Sequence, residues 1–100
     1  MTLRAILADD EELSLDMLRV LLEETASGVE VIATCGTGEE TLARAEELKP
    51  DLIFLDVNMP ALNGMEVAAA LRRSDEPRPM VVFTTAHAEF AAEAFDVEAI

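Results

Sequence analysis

One hundred residues make a single small domain, and with 51% of them apolar the chain has enough greasy surface for a packed core. A formal charge of −14 excludes nonspecific nucleic-acid binding, which needs Lys and Arg against phosphates, and equally excludes an anionic membrane surface. A lone cysteine, Cys35, leaves no intrachain disulfide and no cysteine-based zinc site, and is read as a small buried hydrophobe. No apolar run has membrane-spanning length and Met1-Thr2-Leu3-Arg4 lacks a signal-peptide layout, so the expectation is a cytoplasmic protein.

In chain order, Leu3–Ala8 is an apolar run ending in Asp9-Asp10-Glu11-Glu12. Leu13, Met17, Leu18, Leu21 and Leu22 then recur at helical spacing up to the breaker Ser27-Gly28. Val29–Cys35 is rich in β-branched residues and reads as a second strand. Thr37 with Glu40 has the form of a capping box, opening a helix that carries Leu42, Ala45 and Leu48 and closes at Lys49-Pro50. Leu52–Leu55 is apolar on both faces, as a central parallel strand must be when helices cover both sides. The loop Asp56–Asn63 leads into a helix from about Gly64 to Arg73, with Met65, Ala68 and Leu71 inward. After the polar connector Asp75–Pro79, Met80–Thr84 forms a fourth apolar strand, Glu89–Phe95 a short helix, and Val97–Ile100 runs off the end. Four βα repeats imply a parallel sheet with right-handed crossovers. The first βα turn carries acids where a dinucleotide-binding fold needs glycines, and acids repel a pyrophosphate.

Ligands of a doubly wound sheet bind beyond the carboxyl ends of its strands. Those ends deliver Asp9 and Asp10, Gly36-Thr37-Gly38, Asp56, and Thr84-Thr85-Ala86. If the strand order is 2-1-3-4, three carboxylates and a hydroxyl converge on one crevice. Such carboxylates raise one another's pKa unless a cation intervenes, and oxygen-only ligands with room for water suit Mg²⁺ or Mn²⁺. A carboxylate beside such an ion can attack phosphorus to give an aspartyl phosphate, with Thr85 and loop N–H groups as donors to the transferring group. Each acid taken singly is an ordinary solvated loop residue; the conjunction of all of them is what points to a site.

These strings resemble the response-regulator receiver family: Asp9-Asp10-Glu11, Leu55-Asp56-Val57-Asn58-Met59-Pro60 followed by Asn63-Gly64, and Thr85-Ala86. The resemblance spans the whole chain. It implies an α/β, flavodoxin-like doubly wound parallel sheet of order 2-1-3-4, with the family's fifth strand, its Lys and its fifth helix missing from residues 1–100. It implies Asp56 as phosphoacceptor, Asp10 as the chief metal-binding acid and Asp9 acting largely through water. It further implies the backbone carbonyl of Asn58 as a metal ligand and Thr85 as the phosphoryl-binding switch, with Pro60 and Gly64 shaping the loop. The segment Thr85–Ala99 is similar to regulators whose receiver precedes a LytTR-type DNA-binding domain.

The function implied is a phosphorylation switch, not an enzyme turning over an external substrate, with a sensor histidine kinase as donor and a transcriptional output as partner. A metal-dependent phosphatase working through an aspartyl phosphate is disfavoured, because Asn58 stands where its general acid belongs. A receiver-like module that is never phosphorylated is the other alternative, and the intact acidic set speaks against it. The single Lys, Lys49, precedes the third strand and cannot reach the crevice. Ending at Ile100 leaves Met80–Thr84 expected as an open edge open to self-association. His87, Phe90 and Phe95 are read as a solvated loop residue and core or interface residues.

Overall fold

The computed structural model describes residues 2–25, 28–73 and 78–84. In order they form β1 (Leu3–Ala8), α1 (Glu12–Thr25), β2 (Val29–Cys35), α2 (Gly38–Leu48), β3 (Leu52–Asp56), α3 (Gly64–Arg72) and β4 (Met80–Thr84). The four strands are parallel and ordered β2-β1-β3-β4. The expected sheet is therefore present, while the expected helix over Glu89–Phe95 and the tail Val97–Ile100 lie outside the described residues. Among the described residues no helix is long and apolar enough to cross a membrane.

The apolar runs of β1 and β3 become the two central strands because both of their faces can be buried. Alternation along β1 sends Ile6 and Ala8 into the main core, with Cys35, Ile53, Leu55 and Val81 from the other strands and Ala45, Val67, Ala68 and Leu71 from α2 and α3. Ala5 and Leu7 are just as fully buried without belonging to that cluster, as residues facing the other way must be. At the amino ends of the strands, Asp51 ties the sheet together. Its carboxylate accepts the Arg4 N–H at 2.8 Å, its N–H donates to the Arg4 carbonyl, and its own carbonyl accepts from Met80 N–H.

The helices resolve one point that the helical period left open and correct two local expectations. In α1 the buried stripe is Leu22 with the half-buried Leu15 and Leu18, whereas Leu13, Met17, Val20 and Leu21 are all exposed. A helix apolar on most of its circumference satisfies the helical period with two stripes, and only one can face the sheet. In α3 the expected Ala68 and Leu71 are buried, but Val67 is fully buried as well and Met65 is only half-buried. Finally, Thr37 does cap α2 by accepting the Glu40 N–H, but the Glu40 carboxylate returns to Gly36 N–H, not to Thr37. The reciprocal capping box is found instead at α3, between Asn63 and Glu66.

The ends of α2 follow from simple stereochemistry. Lys49 adopts φ 50°, a left-handed stop that lets its N–H reach the Ala45 carbonyl. The following Pro50 cannot continue the helix. Between β1 and β2 the register slips after Ala5, which pairs with Val31 while Ile6 pairs with Ala33. Ile32 is thus an extra residue that bends the edge strand β2.

Candidate functional site

β1 and β3 are neighbours, so their carboxyl ends deliver Asp9-Asp10 and Asp56 to the same crevice. Each of the three offers a carboxylate oxygen, and these oxygens all lie within 4.8 Å of one another. Asp9 and Asp56 are half-buried, and Asp10 is exposed. Asp9 is held by two local bonds: its N–H donates to the Cys35 carbonyl at 3.0 Å, and its Oδ1 accepts from Glu11 N–H at 2.9 Å. The second is an Asx turn just before α1.

Asp56 is the last residue of β3, paired with Thr84 of β4. Its Oδ1 accepts the Asn58 N–H at 3.1 Å, which folds the loop back over the strand end. Burial is the main force raising this carboxyl to about 6, and the charges of Asp9 and Asp10 raise it further against the lowering effect of the Asn58 N–H. Three oxygens of one sign, crowded at the end of a buried strand, form a donor set for a hard divalent cation. Carboxylate oxygens also suit such an ion better than zinc, whose sites favour nitrogen and sulfur. The residues fit Mg²⁺ or Mn²⁺.

The loop after Asp56 is anchored at each step. Val57 N–H donates to the Thr84 carbonyl at 3.3 Å, Val57 and Met59 are buried, and Gly64 N–H returns to the Val57 carbonyl at 3.0 Å. Gly64 has no substitute here, since a Cβ would collide with the Asp56 carbonyl and stand 2.8 Å from Val57 Cα. Ala61 sits at φ 63°, a left-handed conformation unusual for a residue with a side chain.

Of the residues singled out in the sequence, Asp9, Asp10 and Asp56 are brought together, and Asn58 meets Asp56 through its N–H. Thr85 lies outside the described residues, although Thr84 before it abuts Asp56. His87, Phe90 and Phe95 also lie outside them. Lys49 is at the opposite end of β3 from Asp56, with its carbonyl bonded to Arg4. Cys35 is buried, and burial with the nearby Glu40 charge pushes its thiol up to about 11, which leaves it inert. Two features escaped the sequence reading: the positive φ of Ala61, and the seating of Gly38 against Leu62 and Val67.

The family profile described as Response regulator receiver domain matches residues 5–100. The chain is 40% identical over 98 residues to the Positive alginate biosynthesis regulatory protein of Pseudomonas aeruginosa, covering 98% of this chain and 39% of that protein. It is 39% identical over 98 residues to the Sensory transduction protein LytT of Bacillus anthracis, with the same coverage of 98% and 39%. The chain thus spans about two fifths of the length of these relatives. Among solved structures, the response regulatory domain of protein mrkE from Klebsiella pneumoniae superposes with a TM-score of 0.85 at 33% identity, covering 97% of this chain and 78% of that one. A parallel β2-β1-β3-β4 sheet, an acidic crevice at its carboxyl edge and this family match lead to one conclusion: the chain belongs to the response-regulator receiver domains, the signalling domains of two-component systems.

Proposed function

We propose that Asp56 accepts a phosphoryl group from the phosphohistidine of a sensor kinase, and that Asp10, Asp9, Asp56 and the Asn58 carbonyl hold Mg²⁺ or Mn²⁺ beside it. The observation that carries this reading is the meeting of three carboxylates at the end of β3, one of them raised to about 6. A carboxylate oxygen of Asp56 attacks phosphorus, the P–N bond breaks, and its electron pair leaves with the imidazole nitrogen. The bound cation would offset negative charge on the equatorial oxygens during this transfer. The Asn58 N–H orients the Asp56 carboxyl from behind, and buried Val57 and Met59 keep the loop from swinging away.

Thr85, next after the residue paired with Asp56, would bind a phosphoryl oxygen and bias the end of β4 toward a second arrangement. Similarity to the Transcriptional regulatory protein BtsR of Escherichia coli supports a transcriptional output, and the similarity to LytT supports one of the LytTR type. The test is a phosphorylation assay with Mg²⁺ and acetyl phosphate. One acid-stable, hydroxylamine-labile phosphoryl group is expected, and Asp56→Asn should abolish it. Undiminished labelling in that variant would move the nucleophile elsewhere.

A further inference from the structure

Two glycines flank the start of α2, and the structure treats them differently. A Cβ on Gly36 would meet nothing within 4 Å. A Cβ on Gly38 would collide with the carbonyl oxygen of Leu62 and stand 2.9 Å from both Leu62 Cβ and Val67 Cγ2. Neither glycine is among the residues with positive φ. Gly38 therefore has no conformational need to be glycine, and inside a helix it forgoes up to roughly 1 kcal/mol relative to Ala. What it provides is close approach: the first turn of α2 rests directly on the backbone of the β3–α3 loop.

That loop has little freedom to absorb a push. On the far side of Leu62, Asn63 is locked into the α3 capping box and Gly64 is bonded to Val57. On the near side, Met59 is buried in the core, and Leu62 itself packs against the same cluster. A push at Leu62 falls on residues 60 and 61 and then on the tightly packed Met59, the chain neighbour of Asn58. We propose that Gly38 is a positioning residue for the cation site, its bare Cα acting as the stop against which the loop sets the Asn58 carbonyl. This rests on the reading that this carbonyl is a ligand. Mg²⁺ and Mn²⁺ complexes of this kind demand near-octahedral geometry, and groups that only orient a ligand typically change affinity by about 10–100-fold.

The experiment is Mn²⁺ titration of the wild-type protein and of Gly38→Ala, Gly36→Ala and Asp10→Ala, with thermal unfolding of each in the metal-free state. Gly38→Ala should bind Mn²⁺ about tenfold more weakly, while Gly36→Ala binds as the wild type does. Asp10→Ala should lose most of the binding. A Gly38→Ala protein that melts at a lower temperature but binds Mn²⁺ unchanged would overturn the proposal, because that is the behaviour of a purely structural contact. If Gly38→Ala does not fold, Leu62→Ala decides, since it removes volume and unseats the same loop: weaker binding supports the proposal and unchanged binding sinks it. A wild type that binds no Mn²⁺, or an Asp10→Ala that binds normally, would instead refute the cation site and this inference with it.

Discussion

Replacing Asp56 by Asn should make the metal-free domain more stable at neutral pH, although it destroys the reactive group. Asn keeps the shape and the Oδ1 that accepts the Asn58 N–H at 3.1 Å, so the change removes charge and little else. The folded carboxyl stands at about 6 against an ordinary 3.8, so folding favours its protonated form. Its contribution to stability is complete below about pH 4 and is lost as pH rises through about 6. A shift of that size corresponds to at most roughly 3 kcal/mol, and solvent screening of a half-exposed group reduces it to about 1 kcal/mol. Urea unfolding in EDTA at pH 7.5 should show Asp56→Asn about 1 kcal/mol more stable with an unchanged m value. Between pH 4 and 6.5 the gap should open from nearly nothing, because the variant has lost this titration. Saturating Mg²⁺ should close the gap or reverse it, since the ion stabilises only the protein whose carboxylates are intact. A variant less stable than wild type in EDTA at pH 7.5 would refute the reasoning, by showing that burial and the neighbouring acids do not disfavour the Asp56 charge there.

Mg²⁺ or Mn²⁺ should raise the unfolding midpoint of the wild type, and Asp10→Ala should suppress that rise far more than Glu12→Ala, as differential scanning fluorimetry would show. Equal effects would indicate diffuse attraction to an acidic surface. Gly64→Ala should cost about 2–3 kcal/mol in denaturant unfolding, because its Cβ would press on the Asp56 carbonyl and Val57 Cα, neither of which can rotate away. Acetyl phosphate labelling of the same variant should also fall. Ala61→Gly should stabilise by up to about 1 kcal/mol by relieving the φ of 63°, less the added freedom of the unfolded chain, with phosphorylation retained. A marked destabilisation there would show that the Ala61 methyl makes a contact that outweighs its backbone strain.

The amino-acid sequence by itself determined the alternation of strand and helix, the extents of β1, β2 and β4, and the identity of the acids at the strand ends. These are legible because hydrophobic period, β-branched runs and punctuation by Gly and Pro act over a few residues at a time. Asp56 could be singled out because it follows a strand that is apolar on both faces, and a charge has no place there except at its end. Only the tertiary structure decided which apolar stripe of α1 faces the sheet, since Leu13-Met17-Leu21 and Leu15-Leu18-Leu22 fit the helical period equally well. It alone decided that Glu40 bonds Gly36 and that Val67 displaces Met65 from the core, both set by how the helices are rotated against the sheet. Gly36 and Gly38 look interchangeable in the sequence. The difference between them is a neighbour 24 residues further along from Gly38, Leu62, which approaches only when α2 and the β3–α3 loop are brought together at the sheet's carboxyl edge.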